Sequence, residues 1–157
     1  MKKGFYQVTE GLRAAAEASD LVNQVSWGTI DEQDLINFSK YPFVHFVNNT
    51  ATILDNVIIY NFTMIVAEAV DVSKTQDVLQ TAVTFCEGVQ MKQDIYHRTL
   101  YIVNEVLTNF KRGTQYDDDL QLINEPVAES FDTTGNNGLC GWTVDFDIQA
   151  PNPIIIC

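Results

Sequence analysis

The sequence predicts an α+β domain with a mostly antiparallel sheet, an N-terminal helix and one long helix. Two segments, residues 5–22 and 74–110, place apolar side chains at helical spacing. Residues 43–66 have the pattern of a β-hairpin, and residues 141–149 alternate apolar and polar side chains as a strand does. The order helix, strands, helix, strands is typical of the α+β class. The 157 residues fit a single domain, residues 1–157.

The N-terminal segment predicts a helix followed by a short strand. An Ala-rich centre favours the helix over residues 5–22, and residues 25–28 predict a strand that a glycine turn closes. Asp31, Glu32 and Asp34 follow, and a helix start or a solvated loop would suit them equally. The apolar side chains of the helix are Val8, Leu12, Ala15, Ala16 and, near its end, Leu21.

A β-hairpin is predicted next. Its first strand covers residues 43–47 and 50–53, and Leu54, Asp55 and Asn56 supply the turn. One face of the return strand is apolar, and the other is mixed, so a neighbouring subunit or a helix of the same chain could cover the mixed face. The apolar face has Ile58, Tyr60, Phe62, Met64 and Val66, and the mixed face has Val57, Ile59, Asn61, Thr63 and Ile65.

The second half predicts a long helix and then two or three strands. The helix covers residues 74–110, with a kink or interruption at Gly88, and basic residues and a glycine end it at residues 111–113. Residues 135–138 predict a turn before the strand at residues 141–149. The helical stripe comprises Val78, Leu79, Ala82, Val83, Cys86 and Val89, continued by Tyr96, Leu100, Val103, Val106, Leu107 and Phe110, and the strand directs Trp142, Val144, Phe146 and Ile148 inward.

Composition and charge restrict the function. Nine Lys and Arg against 21 Asp and Glu give a net charge of -12, which disfavours binding to phosphate groups, although solubility alone would also explain the acidity. Cys86, Cys140 and Cys157 have no metal-site spacing and are expected to be reduced thiols. No apolar stretch is long enough for a membrane span. We therefore expect a soluble protein made in the cytoplasm.

The sequence contains no motif for catalysis or metal binding. His45 is predicted to be packed and hydrogen-bonded, and His97 to lie on the surface. Residues 117–119 lack the ligand spacing of a calcium loop, and Asp145 and Asp147 are better explained as an exposed strand face. A barrel holding an apolar ligand is possible from the aromatic strands, but core filling explains them more simply. The sequence predicts no enzyme activity, no metal and no cofactor.

Several segments together resemble a family of neck and tail-completion proteins of tailed bacteriophages, akin to tail terminators. They are residues 22–28 (VNQVSWG) with Asp31, residues 41–45 (YPFVH), residues 129–131 (ESF) with Asn136 and Asn137, residues 140–146 (CGWTVDF), and residues 150–153 (APNP) with Cys157. Their order and spacing are similar to the family pattern along nearly the whole chain.

The resemblance implies a sheet packed against a long helix, in subunits that assemble as a ring around a DNA channel. It implies six copies for a tail terminator or twelve for a ring under the portal. The expected partners are copies of the chain, the portal or adaptor, and tail proteins in the virion, with no cofactor and no specific DNA binding. The candidate interface or channel residues are Leu54, Asp55, Asn56, Asp117, Asp118 and Asp119.

Two other functions remain compatible with the sequence. One is a small α+β ligand-binding or enzymatic domain, which would be a monomer with a tight small ligand. The other is an assembly chaperone that is absent from the finished particle. A ring subunit differs from both because it requires two docking faces for neighbouring copies.

Overall fold

The computed structural model describes residues 4–29, 40–70, 90–133, 138–152 and 154, which form an α+β fold. The predicted class is therefore confirmed. The elements in chain order are α1 (Phe5–Glu17), β1 (Gln24–Trp27), β2 (Phe43–Ile53), β3 (Val57–Ala69), α2 (Gln90–Arg112), α3 (Thr114–Asp117), β4 (Gln121–Ile123), β5 (Ala128–Asp132) and β6 (Leu139–Pro151).

The described strands form a six-stranded sheet with β3 near its centre. The strand order is β1-β2-β3-β6-β4, and β5 pairs with β6. Because β3 pairs with β6 over its whole length, β4 and β5 share the opposite edge of β6. Only β1 and β2 are parallel to each other, and the other described pairs are antiparallel. The predicted hairpin and the predicted C-terminal strands are confirmed.

The main core lies between α1, α2 and one face of the sheet. Alternating side chains of β3 and β6 point towards the helices, as the period of two in both segments predicts. Buried Val8 and Leu12 of α1 and buried Ile102 and Phe110 of α2 belong to the same cluster. The strand residues of this core include Phe46, Tyr60, Phe62, Met64, Val66, Val144, Phe146 and Ile148.

The N-terminal helix is shorter than predicted, because it ends at Glu17 and not near Val22. After it, the Ser19 N–H donates to Ala16 O and the Val22 N–H donates to Ser19 O, so the chain turns. This turn is required because Gln24 must lie beside Phe43 to start the parallel β1–β2 pair. Leu21 is consequently exposed, not part of the buried stripe.

The long helix is described from Gln90, and the part of the prediction at residues 74–89 lies outside the described residues. Its end at Arg112, before Gly113, is as predicted. The stripe was wrong at Leu100, which is exposed, whereas Ile95 and Thr99 are buried. The Thr99 hydroxyl donates to Ile95 O at 2.6 Å, so this polar side chain satisfies its hydrogen bond within the helix.

Two ion pairs fix α2 to the sheet. Arg98 donates from two nitrogens to the two carboxylate oxygens of Glu68 on β3, at 2.8 and 3.1 Å. Lys92 Nζ lies 2.6 Å from a carboxylate oxygen of Asp132 on β5. The bidentate geometry of the first pair sets the position of α2 relative to the central strand.

Candidate functional site

The β2–β3 hairpin extends past the core as an arm, which we define as residues 48–58. The first four residues of β2 are buried, whereas all six from residue 48 to Ile53 are exposed. At its tip, Ile53 is 74% and Leu54 is 47% exposed. Asp55 and Asn56 are exposed as well, so the predicted turn is confirmed as a surface feature. The arm therefore presents two adjacent aliphatic side chains to solvent.

The tip of the arm is hydrogen-bonded and not loose. The Leu54 N–H donates to Val57 O at 2.9 Å across the turn. Asn152, just after β6, donates from its backbone to Asn56 O at 2.9 Å and from its side chain to Leu54 O at 3.1 Å. These bonds hold Leu54, Asp55 and Asn56 in a defined position.

One edge of the arm is open. β1 pairs only with residues 43–46 of β2, so among the described strands none pairs with the outer edge of residues 47–53. A strand edge of this kind offers unpaired N–H and C=O groups to another chain. Between residues 46 and 67 the sequence has a single charged side chain, Asp55. In a chain of net charge -12, the arm is therefore a surface where a second acidic chain is repelled only weakly.

The opposite edge of the sheet is protected. Its strands β4 and β5 have only three and five residues. Glu125 and Pro126 separate them, and Glu129 adds a charge on β5. Short strands, charges and proline all discourage edge pairing. The edge of β2 along the arm has none of these protections, so the two edges of the sheet differ in their capacity to pair with another chain.

A β-bulge at Asn49 marks the base of the arm. The β2–β3 register shifts between Asn48 and Thr50, so Asn49 is the extra residue. Its side-chain nitrogen donates to Asn61 Oδ1 and to Thr63 Oγ1, each at 2.8 Å. The bulge is thus fixed to β3 by side chains as well as by the backbone.

These bonds continue across the face of the sheet opposite the two long described helices. Thr63 donates to Asp145 Oδ1, and Asn61 Nδ2 donates to Asp147 Oδ1 at 2.8 Å. Asn124 donates to the other oxygen of Asp147 at 3.0 Å. Sequence analysis placed Asp145 and Asp147 on a wet strand face but missed this polar ladder, because its members meet only through the strand register.

Of the three predicted aspartates, Asp117 is the last residue of α3, and Asp118 and Asp119 lie in the turn that follows it. Asp117, Asp118 and Asp119 are all exposed, and Asp119 has a positive φ of 64°. The Asp118 N–H donates to Thr114 O, and Gln7 of α1 donates to Asp118 O, each at 3.2 Å. The aspartates therefore end a helical turn and leave their carboxylates in solvent.

The structure places the two groups of candidate residues at the same end of the sheet. Gln121, two residues after Asp119, pairs with Gln149 of β6. At the tip of the arm, Ile53 pairs with Ile58, which in turn pairs with Ala150, the residue next to Gln149. β2 and β4 are three strand spacings apart, about 14 Å. The tip and the aspartates thus share an end of the sheet without converging on a common pocket.

A cleft of about 490 Å³ lies between α1 and β1, and sequence analysis did not predict it. Phe5, Tyr6 and Trp27 line it, and each is at least one-third exposed. The Phe5 ring lies 5.9 Å from the Trp27 ring and 5.6 Å from the Tyr60 ring, so the wall is aromatic. The sequence analysis predicted a strand at residues 25–28 but gave no orientation for Trp27, so it offered no signal for the cleft. Val25 and Phe46 form the floor, and Glu10 and Arg13 stand at the rim.

The structure brings Ser26 and His45 together as cross-strand partners. Because Gly28 O can only accept, His45 Nε2 donates to it at 2.9 Å, and Ser26 Oγ lies 2.6 Å from Nδ1. In the neutral imidazole, Ser26 is then the donor. His45 is only 3% exposed, which confirms the predicted packed histidine. This pair fixes β1 to β2 and leaves the imidazole away from solvent. His97 is exposed, as predicted.

Metal and thiol chemistry find little support in the described part of the chain. No three His, Cys, Asp or Glu side chains among the described residues are grouped to hold a metal ion. Cys140 is a buried free thiol, and burial, with a smaller effect of Asp132, raises its pKa to about 11. A thiol with a raised pKa is a poor nucleophile at neutral pH. Cys86 and Cys157 lie outside the described residues.

No protein-family model matches the chain, and a search of curated proteins gives no match. Across the described residues, no helix combines the length and the apolar character needed to cross a membrane. The geometry of the arm, its open edge and the cleft therefore carries the functional argument.

Proposed function

We propose that this chain is a structural subunit of the head-to-tail region of a tailed bacteriophage, where copies assemble into a ring around the DNA channel. The identity as a phage protein rests on the family resemblance of the sequence. The observation that supports self-assembly most strongly is the exposed, nearly uncharged hairpin arm with its open edge. No described strand pairs with this edge, and an unpaired strand edge promotes association with another chain.

A ring requires two different docking surfaces on each subunit, because head-to-tail contacts close by rotation. The arm offers one surface and the aromatic cleft between α1 and β1 a second. Six copies would form a ring of tail-terminator type and twelve a ring below the portal. The portal or adaptor and the tail proteins would contact its two ends, and the subunit would need no cofactor.

Native mass spectrometry and light scattering over a range of concentrations test this proposal. The monomer mass is 17.7 kDa, so a ring should give six or twelve times this value. Raising the salt concentration should favour assembly, because it screens repulsion between chains of charge -12. A monomer at all concentrations and salt levels would contradict the proposal. Absence of the protein from purified virions would favour the assembly chaperone.

The acidic end of the sheet suits a DNA conduit, since carboxylates provide no binding sites for phosphate. We infer that some of Asp55, Asp117, Asp118 and Asp119 face the channel or an adjacent ring. Replacing Asp117, Asp118 and Asp119 together by lysine should slow or stall DNA ejection from particles that assemble normally. Lysine at Asp94, an exposed acid on α2, is the matched control. Equal ejection kinetics in all these particles would contradict the channel assignment.

A small ligand-binding domain is the second candidate, and the cleft is the observation that favours it. Its volume of about 490 Å³ falls within the usual range for small-molecule sites, about 300–1,000 Å³. A stable monomer that binds an apolar ligand tightly in this cleft would support that function. The same mass measurement therefore separates the two candidates.

A further inference from the structure

We propose that the tip of the hairpin arm of one copy docks in the aromatic cleft of the next copy. This inference rests on the proposed ring function and names the contact that would build the ring. The inserted group is Ile53 with Leu54, and the receiving cleft is lined by Phe5, Tyr6 and Trp27. Because tip and cleft are different surfaces of the same chain, the contact is head-to-tail.

The two surfaces match in chemistry. Ile53 is 74% exposed and Leu54 is 47% exposed, so both side chains have apolar area to bury. The cleft is walled by three partly exposed aromatic rings. Aromatic side chains in well-packed pockets commonly supply most of the energy of an interface. Burying both aliphatic side chains in the cleft would remove exposed apolar area from both copies at once.

One charge at the rim of the cleft complements the charge at the tip of a second copy. Asp55, beside the tip residues, is the only charge of the arm. Arg13, the only basic residue of α1, lies at the rim of the cleft. It already forms an exposed i,i+4 ion pair with Glu17, and such a pair contributes little free energy. Glu10 lies at the same rim and opposes Asp55. We therefore assign Asp55 to the Arg13 side of the cleft in the neighbouring copy.

The tip cannot occupy the cleft of its own chain. Phe46, at the floor of the cleft, is seven residues from Ile53, about 23 Å along an extended strand. The arm is held straight by pairing that continues to Ile53 and Ile58, and Asn152 fixes the turn. Only another copy can therefore bring a tip to this cleft.

Complementation between two variants tests the contact. The tip variant carries Ile53→Ser with Leu54→Ser, and the cleft variant carries Trp27→Ala. Each change should weaken self-association by at least about tenfold, as removal of an interface anchor does. Val127→Ser is the matched control, because Val127 is 75% exposed but lies beside the protected edge of the sheet. Circular dichroism should give the same folded spectrum for all of them.

A one-to-one mixture of the tip variant and the cleft variant gives the decisive result. Each partner retains one intact half of the contact, so the mixture should form dimers of one copy of each and nothing larger. Failure of the mixture to form dimers would overturn the proposed contact. If the wild-type protein and the tip variant both form rings, the proposed contact is wrong but the ring proposal stands. If the wild-type protein is a monomer, both the contact and the ring proposal are wrong.

Two further readouts report on the cleft itself. Trp27 is 55% exposed in the single chain, so its emission should shift to shorter wavelength as wild-type protein is concentrated. The tip variant should not show the shift, and an equal shift in it would count against the contact. Asp55→Arg and Arg13→Asp should each weaken assembly, and the two changes combined should recover it in part. Independent, additive losses would refute the assigned charge pair.

Discussion

Replacing Asn61 by aspartate should destabilise the protein in a pH-dependent way. The Asn61 side chain donates to Asp147 Oδ1 at 2.8 Å and accepts from Asn49 at 2.8 Å. An aspartate of the same shape retains the bond from Asn49, but it replaces the donor to Asp147 with a second negative charge. It therefore changes one bond of the polar ladder without altering side-chain size.

The magnitude follows from two contributions. Loss of the bond to a carboxylate costs about 1–2 kcal/mol at this half-buried position. Two unit charges about 4 Å apart repel by about 1 kcal/mol in water and about 4 kcal/mol near a protein surface. The sum, about 2–6 kcal/mol at pH 8, corresponds to a fall of about 1–3 M in the urea midpoint for an m-value of about 2 kcal/mol/M.

The pH dependence gives the sharper test. Asp147 will raise the folded-state pKa of the introduced carboxyl, so the destabilisation is absent below the unfolded pKa and grows as pH rises through the folded pKa. The penalty should thus be smaller at pH 5.5 than at pH 8, and both values are above the sequence pI of about 4.3. Asn48→Asp, an exposed change of equal charge, is the control. A penalty that matched Asn48→Asp, or that did not change with pH, would refute the reasoning.

Two other perturbations test the central strand pair. A Cβ at Gly141 would lie 1.9 Å from Val66 O, so Gly141→Ala should cost about 3 kcal/mol or more by urea unfolding, whereas Thr143→Ala on the same strand should cost far less. The Cys140 thiol, with its pKa raised from 9.0 to about 11, should resist alkylation at pH 8 until the chain unfolds. The neutral thiol stabilises the fold below pH 9, and that contribution should fall between about pH 9 and 11 in the wild type but not in Cys140→Ala. Rapid native alkylation, or equal alkaline profiles, would contradict this.

The sequence predicted the strands better than the helices for a physical reason. Successive side chains of a strand point to opposite faces, so the alternation of apolar and polar residues in β3 and β6 can be recognised from neighbouring residues alone. The end of α1 at Glu17 depends on where β1 must pair with β2, which no local pattern encodes. The exposure of Leu100 likewise depends on how α2 is rotated on the sheet, and Arg98 bound to Glu68 contributes to that rotation.

The candidate site was predictable only in its surface parts. Turn chemistry located Leu54, Asp55 and Asn56, because asparagine and aspartate favour turns whatever the rest of the chain does. The cleft and the polar ladder are products of tertiary pairing. Phe5 and Trp27 are far apart in sequence and meet because α1 folds back over the edge strand. No spacing rule relates them.

The two edges of the sheet differ in length, charge and pairing, so the two sides of the domain present different surfaces. One edge has short, charged strands, and the other continues as an uncharged arm that carries a single aspartate at its tip. The aromatic cleft lies beside the same edge as the arm but faces the helix layer, so tip and cleft do not coincide. In the proposed ring, this separation makes each contact head-to-tail. The rotation between successive copies then determines whether the contacts close into a ring or continue as an open filament. In the proposed assembly, the strong negative charge elsewhere on the chain would discourage other contacts between copies and so leave the arm to direct assembly.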